Sequence, residues 1–157
     1  MAQVRMPNAP DFYQLWKPYL KKWGVKLTEQ EFLDFGFTAE KENQELIKLA
    51  QELKAKELKL FILSNNFKER TAYYNKKFSF LKELFDKVYY SWQTGFVKPS
   101  PGAYRILLSE NNLKPEECIY FDDSENNVKI ANSLGIKSFV FENEEQIRQI
   151  LKNNQVI

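Results

Sequence analysis

Apolar residues recur every three or four positions along the first third of the chain. Phe12, Leu15, Trp16, Tyr19, Leu20 and Trp23 share one helical face, and Gly24 follows as a stop. Thr28 and Glu31 make a capping-box pattern ahead of Phe32, Leu33 and Phe35, which predicts a second helix. A third carries Leu46, Ile47, Leu49, Ala50 and Leu53 on its apolar side. The character then changes to four short apolar runs: "LKLFILSNN" (Leu58–Asn66), "DKVYYS" (Asp86–Ser91), "CIYF" (Cys118–Phe121) and "KSFVF" (Lys137–Phe141). Runs of this length between helical stretches read as buried strands. The helical stretches fall at 68–85, 101–111, 125–134 and 144–153. Strand–helix alternation at this spacing predicts an α/β fold with parallel strands and helices on both faces.

Composition narrows the setting. The 157 residues fit one domain with a real core, and 43% apolar with 28% charged residues is ordinary for a globular chain. A formal charge of +2 argues for neither nucleic acid nor an anionic membrane as a partner. No run approaches the length of a membrane span, and "MAQVRMPNAPDFYQLW" lacks the apolar segment of a signal peptide. The single Cys118 permits no internal disulfide, so a reducing cytoplasm is the expected location. There is no His, which excludes a Ser-His triad and imidazole metal ligands.

In open parallel sheets, ligands bind beyond the carboxyl ends of the strands. Three polar groups emerge there. Ser64 ends the first run, Lys98 follows the second after a short loop, and the adjacent carboxylates Asp122 and Asp123 end the third. Each has a plain alternative: a turn or cap for Ser64, a solvated charge for Lys98, helix capping for the carboxylates. Pro99 disfavours a helical Lys98, while Ser100 and Pro101 look like the cap and first residue of a helix. Two carboxylates side by side exceed what capping needs and suit a hard cation such as Mg2+. A hydroxyl, a lysine and a carboxylate-held Mg2+ together suit phosphate chemistry.

The order of these groups resembles the haloacid dehalogenase-like (HAD) hydrolase superfamily. "FILSNN" is similar to its second motif, "GFVKPSPGAY" to its third and "IYFDDSENNVKIANSLGI" to its fourth. The resemblance implies a Rossmann-like core over 57–157, preceded by a partial helical cap-like segment over 1–56. It implies phosphomonoester hydrolysis, with Ser64, Asn65 and Lys98 binding the phosphate. Lys98 would be the catalytic lysine, with Asp122 and Asp123 near Mg2+. A small phosphorylated molecule is the ligand so implied.

The family's first motif, an apolar strand ending in Asp-x-Asp, has no clear copy here. Its first Asp is the nucleophile, so its absence predicts a truncated or divergent site with little or no turnover. The alternative is a non-catalytic binding module, for which the aromatics Phe12, Tyr13, Trp16, Tyr19 and Trp23 would supply an interface. "FLDFGFT" (Phe32–Thr38) is the one substitute, with Asp34 as nucleophile, but the capping box at Thr28–Glu31 opposes a strand there. Without the first strand, which lies mid-sheet in the family, two strand pairs face a gap. The pairs would close on each other, or be bridged by another chain, by strand exchange in a homo-oligomer, or by "AQVRM" (Ala2–Met6).

Overall fold

The computed structural model describes residues 2–157, the side chains of Ala2 and Gln3 excepted. The chain divides into two compact units, each assembled from two segments.

The first unit comprises the residues through Asn43 together with Phe61–Val97. A 3-10 turn, Ala2–Arg5, precedes α1 (Phe12–Lys22) and α2 (Glu29–Phe37). The Thr28 hydroxyl accepts the Glu31 N–H, and the Glu31 carboxylate accepts the Thr28 N–H at 2.7 Å, closing the capping box. Asp34 therefore lies within a helix, where its carboxylate accepts from the Gln30 amide at 2.7 Å. This agrees with the capping-box pattern and rules out Phe32–Thr38 as a nucleophile-bearing strand: the reciprocal cap satisfies the first amides of a helix and fixes its start. Ala2–Met6 supplies no bridging strand either. Its 3-10 turn buries Val4 against Phe37 and Phe67, with Phe12, Leu15, Leu33 and Tyr73 around them. Of the α1 aromatics, Phe12 joins this core, whereas Tyr19 and Trp23 are 55% and 59% exposed.

β1 (Phe61–Ser64) is followed by α4 (Lys68–Lys77), α5 (Phe80–Glu83), β2 (Lys87–Tyr90) and the short α6 (Ser91–Thr94). β1 and β2 pair in parallel, Phe61 opposite Lys87 and Ser64 opposite Tyr90. The single helix expected over 68–85 is broken at Phe78, whose extended backbone carries its ring into a buried position. Burial of an aromatic ring outweighs the few tenths of a kcal/mol that continued helix would supply.

The second unit comprises Gln44–Leu60 and Lys98–Ile157. It holds α3 (Gln44–Ala55), α7 (Pro101–Glu110), β3 (Ile119–Asp122), α8 (Glu125–Ser133), β4 (Lys137–Val140) and α9 (Glu144–Asn153). β3 and β4 pair in parallel, with Phe121 opposite and stacked on Phe139. Leu49, Ile147 and Leu151 form the core, joined by Leu46, Leu53, Ile119, Phe121 and Phe141. Arg148 of α9 makes a forked ion pair with Glu52 of α3, its two amino groups 2.5 and 2.9 Å from the carboxylate oxygens.

The four strands thus form two separate two-stranded parallel sheets, β1–β2 and β3–β4. This bears out an α/β, Rossmann-like architecture in which, among the described residues, no central strand joins the two pairs. Among the described residues, no helix is long and apolar enough to cross a membrane.

Candidate functional site

β3 positions the site by simple alternation. Successive strand residues point to opposite faces. Ile119 and Phe121 enter the core with α3 and α9, so Tyr120 and Asp122 share the other face. There Asp122 meets Lys98. The Lys98 ammonium lies 2.5 Å from Asp122 Oδ2, with the two side chains 11% and 5% exposed. Lys98 also donates to the Tyr120 hydroxyl at 3.1 Å, and that hydroxyl in turn donates to Asp122 Oδ2. The Lys98–Pro99 peptide is cis, and Ser100 then caps α7, its hydroxyl accepting the Gly102 N–H at 3.4 Å.

The other Asp122 oxygen faces the start of α8. Oδ1 accepts the Ser124 N–H at 2.9 Å and the Asn127 amide at 2.8 Å. Burial works to raise the Asp122 pKa. The Lys98, Tyr120, Asn127 and Ser124 donors outweigh it and hold the group at about 2, so it is a carboxylate at neutral pH. Tyr120 is shifted the opposite way, by burial first and then by the Asp122 charge, which keeps its hydroxyl protonated. Tyr104 of α7 meets the Tyr120 ring edge-on at 5.5 Å and donates to the Asn127 carbonyl at 2.9 Å. Burial, then Glu117 and Glu116, push the Cys118 thiol up, so it offers no ready thiolate.

The structure therefore brings together Lys98 and Asp122 from the expected set. It places Asp123 beside them as an exposed residue. Ser64 and Asn65 stand at the tip of β1, in the first unit. Tyr120 and Asn127 complete the network and were not anticipated. For Tyr120 the available signal was its position two residues before Asp122 on a strand; for Asn127 it was the first turn of the helix that follows.

A metal ion finds only a partial cradle here. Both Asp122 oxygens are committed to protein donors, and among the described residues no three acidic or cysteine side chains gather. Asp123 offers an exposed carboxylate. One carboxylate with water in the remaining positions is within the way proteins hold Mg2+, at low affinity.

The lysine–carboxylate pair lies at the carboxyl end of a parallel strand, which is where open α/β sheets bind their ligands. Sequence comparison makes this specific: residues 9–141 match the haloacid dehalogenase-like hydrolase family, and the chain belongs to it. It is 34% identical over 71 residues to a D-ribitol-5-phosphate phosphatase of Bacteroides thetaiotaomicron, covering 45% of this chain and 34% of that protein. It is 31% identical over 97 residues to a phosphorylated carbohydrates phosphatase of Thermotoga maritima, covering 62% of this chain and 44% of that protein. The chain thus spans less than half the length of these relatives. Among solved structures, a predicted HAD-like hydrolase from Porphyromonas gingivalis superposes with a TM-score of 0.76 at 24% identity, over 98% of this chain and 76% of that one. A HAD family enzyme from B. thetaiotaomicron, solved with magnesium and inorganic phosphate, gives 0.74 at 20% identity, over 90% and 72%.

Proposed function

We propose that this chain is the phosphate-holding part of a phosphatase-type HAD hydrolase, taking a small phosphorylated molecule and turning it over little by itself. The observation that carries this reading is the Lys98 ammonium held by a buried carboxylate at the carboxyl end of β3. A lysine fixed in that way is a preorganised counter-charge for a phosphoryl group. Ser64 and Asn65, at the β1 tip of the first unit, are the second-motif residues to which the family resemblance assigns phosphate binding. Asp123 is the residue that would hold Mg2+. Once bound, the ion would neutralise phosphate charge. The relatives with sugar-phosphate names support the substrate class.

Little turnover is expected because the described strand tips carry Ser64, Tyr90, Asp122 and Val140, and Asp122 is locked by four donors. None is a carboxylate available for nucleophilic attack, and losing a principal nucleophile costs on the order of a million-fold where a site acts as a unit. The test is Mg2+-dependent hydrolysis of p-nitrophenyl phosphate by the chain and by Asp34→Asn, alongside NMR titration with inorganic phosphate. Expected are near-background hydrolysis in both and phosphate-induced shifts at Asn65, Asn66 and the Lys98 loop. Robust hydrolysis abolished by Asp34→Asn, or shifts confined to another surface, overturns the reading.

A further inference from the structure

Tyr120 stands out because it sits between the two charged groups rather than beside them. It shares a strand face with Asp122, accepts from Lys98 at 3.1 Å and donates to the same Asp122 oxygen that Lys98 engages at 2.5 Å. The Lys98 ammonium also lies 5.6 Å from the centre of the Tyr120 ring, within the range of a cation–π contact. The ring is in turn fixed edge-on by Tyr104.

We infer that Tyr120 is a positioning residue for Lys98: its hydroxyl closes a three-membered Lys98–Tyr120–Asp122 ring that fixes where the ammonium points. The physical reason lies in the geometry of the two partners. A lysine ammonium sits on a stem with four rotatable bonds, and a single carboxylate oxygen constrains its distance but hardly its direction. A second acceptor, held rigidly by a phenol on the same strand face, removes that freedom before any ligand arrives. Binding then forfeits less of the rotamer entropy of a long side chain. The hydroxyl stays protonated, so it donates to Asp122 continuously and keeps its remaining lone pairs for Lys98. This role extends the phosphate reading of Lys98 and rests on it for its consequence in binding, but not for the geometry itself.

The test compares the wild-type chain with Tyr120→Phe, which keeps the ring and its packing on Tyr104 and removes only the oxygen. Tyr90→Phe, whose hydroxyl lies 3.5 Å from Asn75 in the first unit, serves as a control for general loosening, and Lys98→Met as a control for the phosphate reading. Two quantities are read: the side-chain ammonium resonance of Lys98 in nitrogen-edited NMR, and affinity for inorganic phosphate. In Tyr120→Phe the ammonium resonance should broaden or vanish and phosphate affinity should fall three- to tenfold, with both little changed in Tyr90→Phe. An ammonium resonance unaltered in Tyr120→Phe overturns the positioning role whatever happens to phosphate. Phosphate binding unaltered in Lys98→Met overturns the phosphate reading instead and leaves the resonance to decide on Tyr120. If Tyr120→Phe does not fold, the wild-type chain still decides the matter. A slowly exchanging Tyr120 hydroxyl proton supports the ring, and its absence refutes it.

Discussion

The tips of β1 and β3 solve the same problem with different chemistry. At the β1–β2 tip the Asn66 N–H donates to the Ser91 hydroxyl at 3.1 Å, and that hydroxyl donates back to the Asn66 carbonyl at 3.1 Å. Asn66 also folds its side-chain oxygen onto the Phe67 N–H at 3.0 Å. Beside it, Trp92 donates its indole N–H to Thr71. Every partner is neutral, and the arrangement satisfies backbone groups that would be costly to bury alone. At the β3 tip the buried partners are an ammonium and a carboxylate. A buried ion pair is a poor source of net stability, because desolvation consumes most of its attraction. The neutral Asn66–Ser91 bonds are explained by folding alone. The charged tip is not, and that excess is the physical ground for locating function there.

Breaking the charged tip should have the largest effect. Asp122→Asn leaves the Lys98 ammonium 11% exposed without its counter-charge, which should cost about 3–5 kcal/mol in urea unfolding. A change under 1 kcal/mol would mean that the pair is solvated after all.

A milder probe of the same tip is acid. The Asp122 pKa is held at about 2 in the folded chain, below its ordinary value of 3.8. A depressed folded pKa gives stability that is complete above the unfolded value and drains away as pH falls through the folded one. In EDTA-treated buffer, stability should therefore decline between pH 4 and 2, and Asp122→Asn should flatten that decline. An identical slope in the variant would separate the acid response from this carboxylate.

The smallest effect is expected at the neutral tip. Ser91→Ala orphans the Asn66 N–H and carbonyl, for about 1–3 kcal/mol, with no change in the acid slope. An acid slope altered in Ser91→Ala would erase the contrast between the two tips.

Much of this was legible in the residues. Short β-branched and aromatic runs bounded by polar residues announced all four strands, and the Thr28–Glu31 pair announced a helix start within one residue. The family assignment rested on the same strand-end groups and holds over residues 9–141. What escaped was tertiary in origin. Phe78 continues the helical spacing of Tyr74 yet leaves the helix, because its destination is set by burial and not by its neighbours in sequence. Likewise, two adjacent carboxylates look equivalent in a sequence. Only the alternation of β3 directs Asp122 inward to a lysine 24 positions away and leaves Asp123 outside. Asn127 joins from the first turn of the next helix.

That alternation also sets how this stretch can change over time. Ile119 and Phe121 on one side and Tyr120 and Asp122 on the other make β3 a ruler marked in single residues. Losing or gaining one residue between the 3-10 turn Pro115–Glu117 and the strand would exchange the two sides wholesale, driving a carboxylate and a phenol into the leucine core and the core's aromatics into the site. The turn leaves little room to absorb such a change. Its Pro115 sits 3.3 Å from where a side chain at Gly135 would begin, and Gly135 itself adopts a left-handed φ of +88°. Length in the Pro115–Cys118 connector should thus be inherited more strictly than the identity of its residues, with substitutions passing where single-codon indels do not.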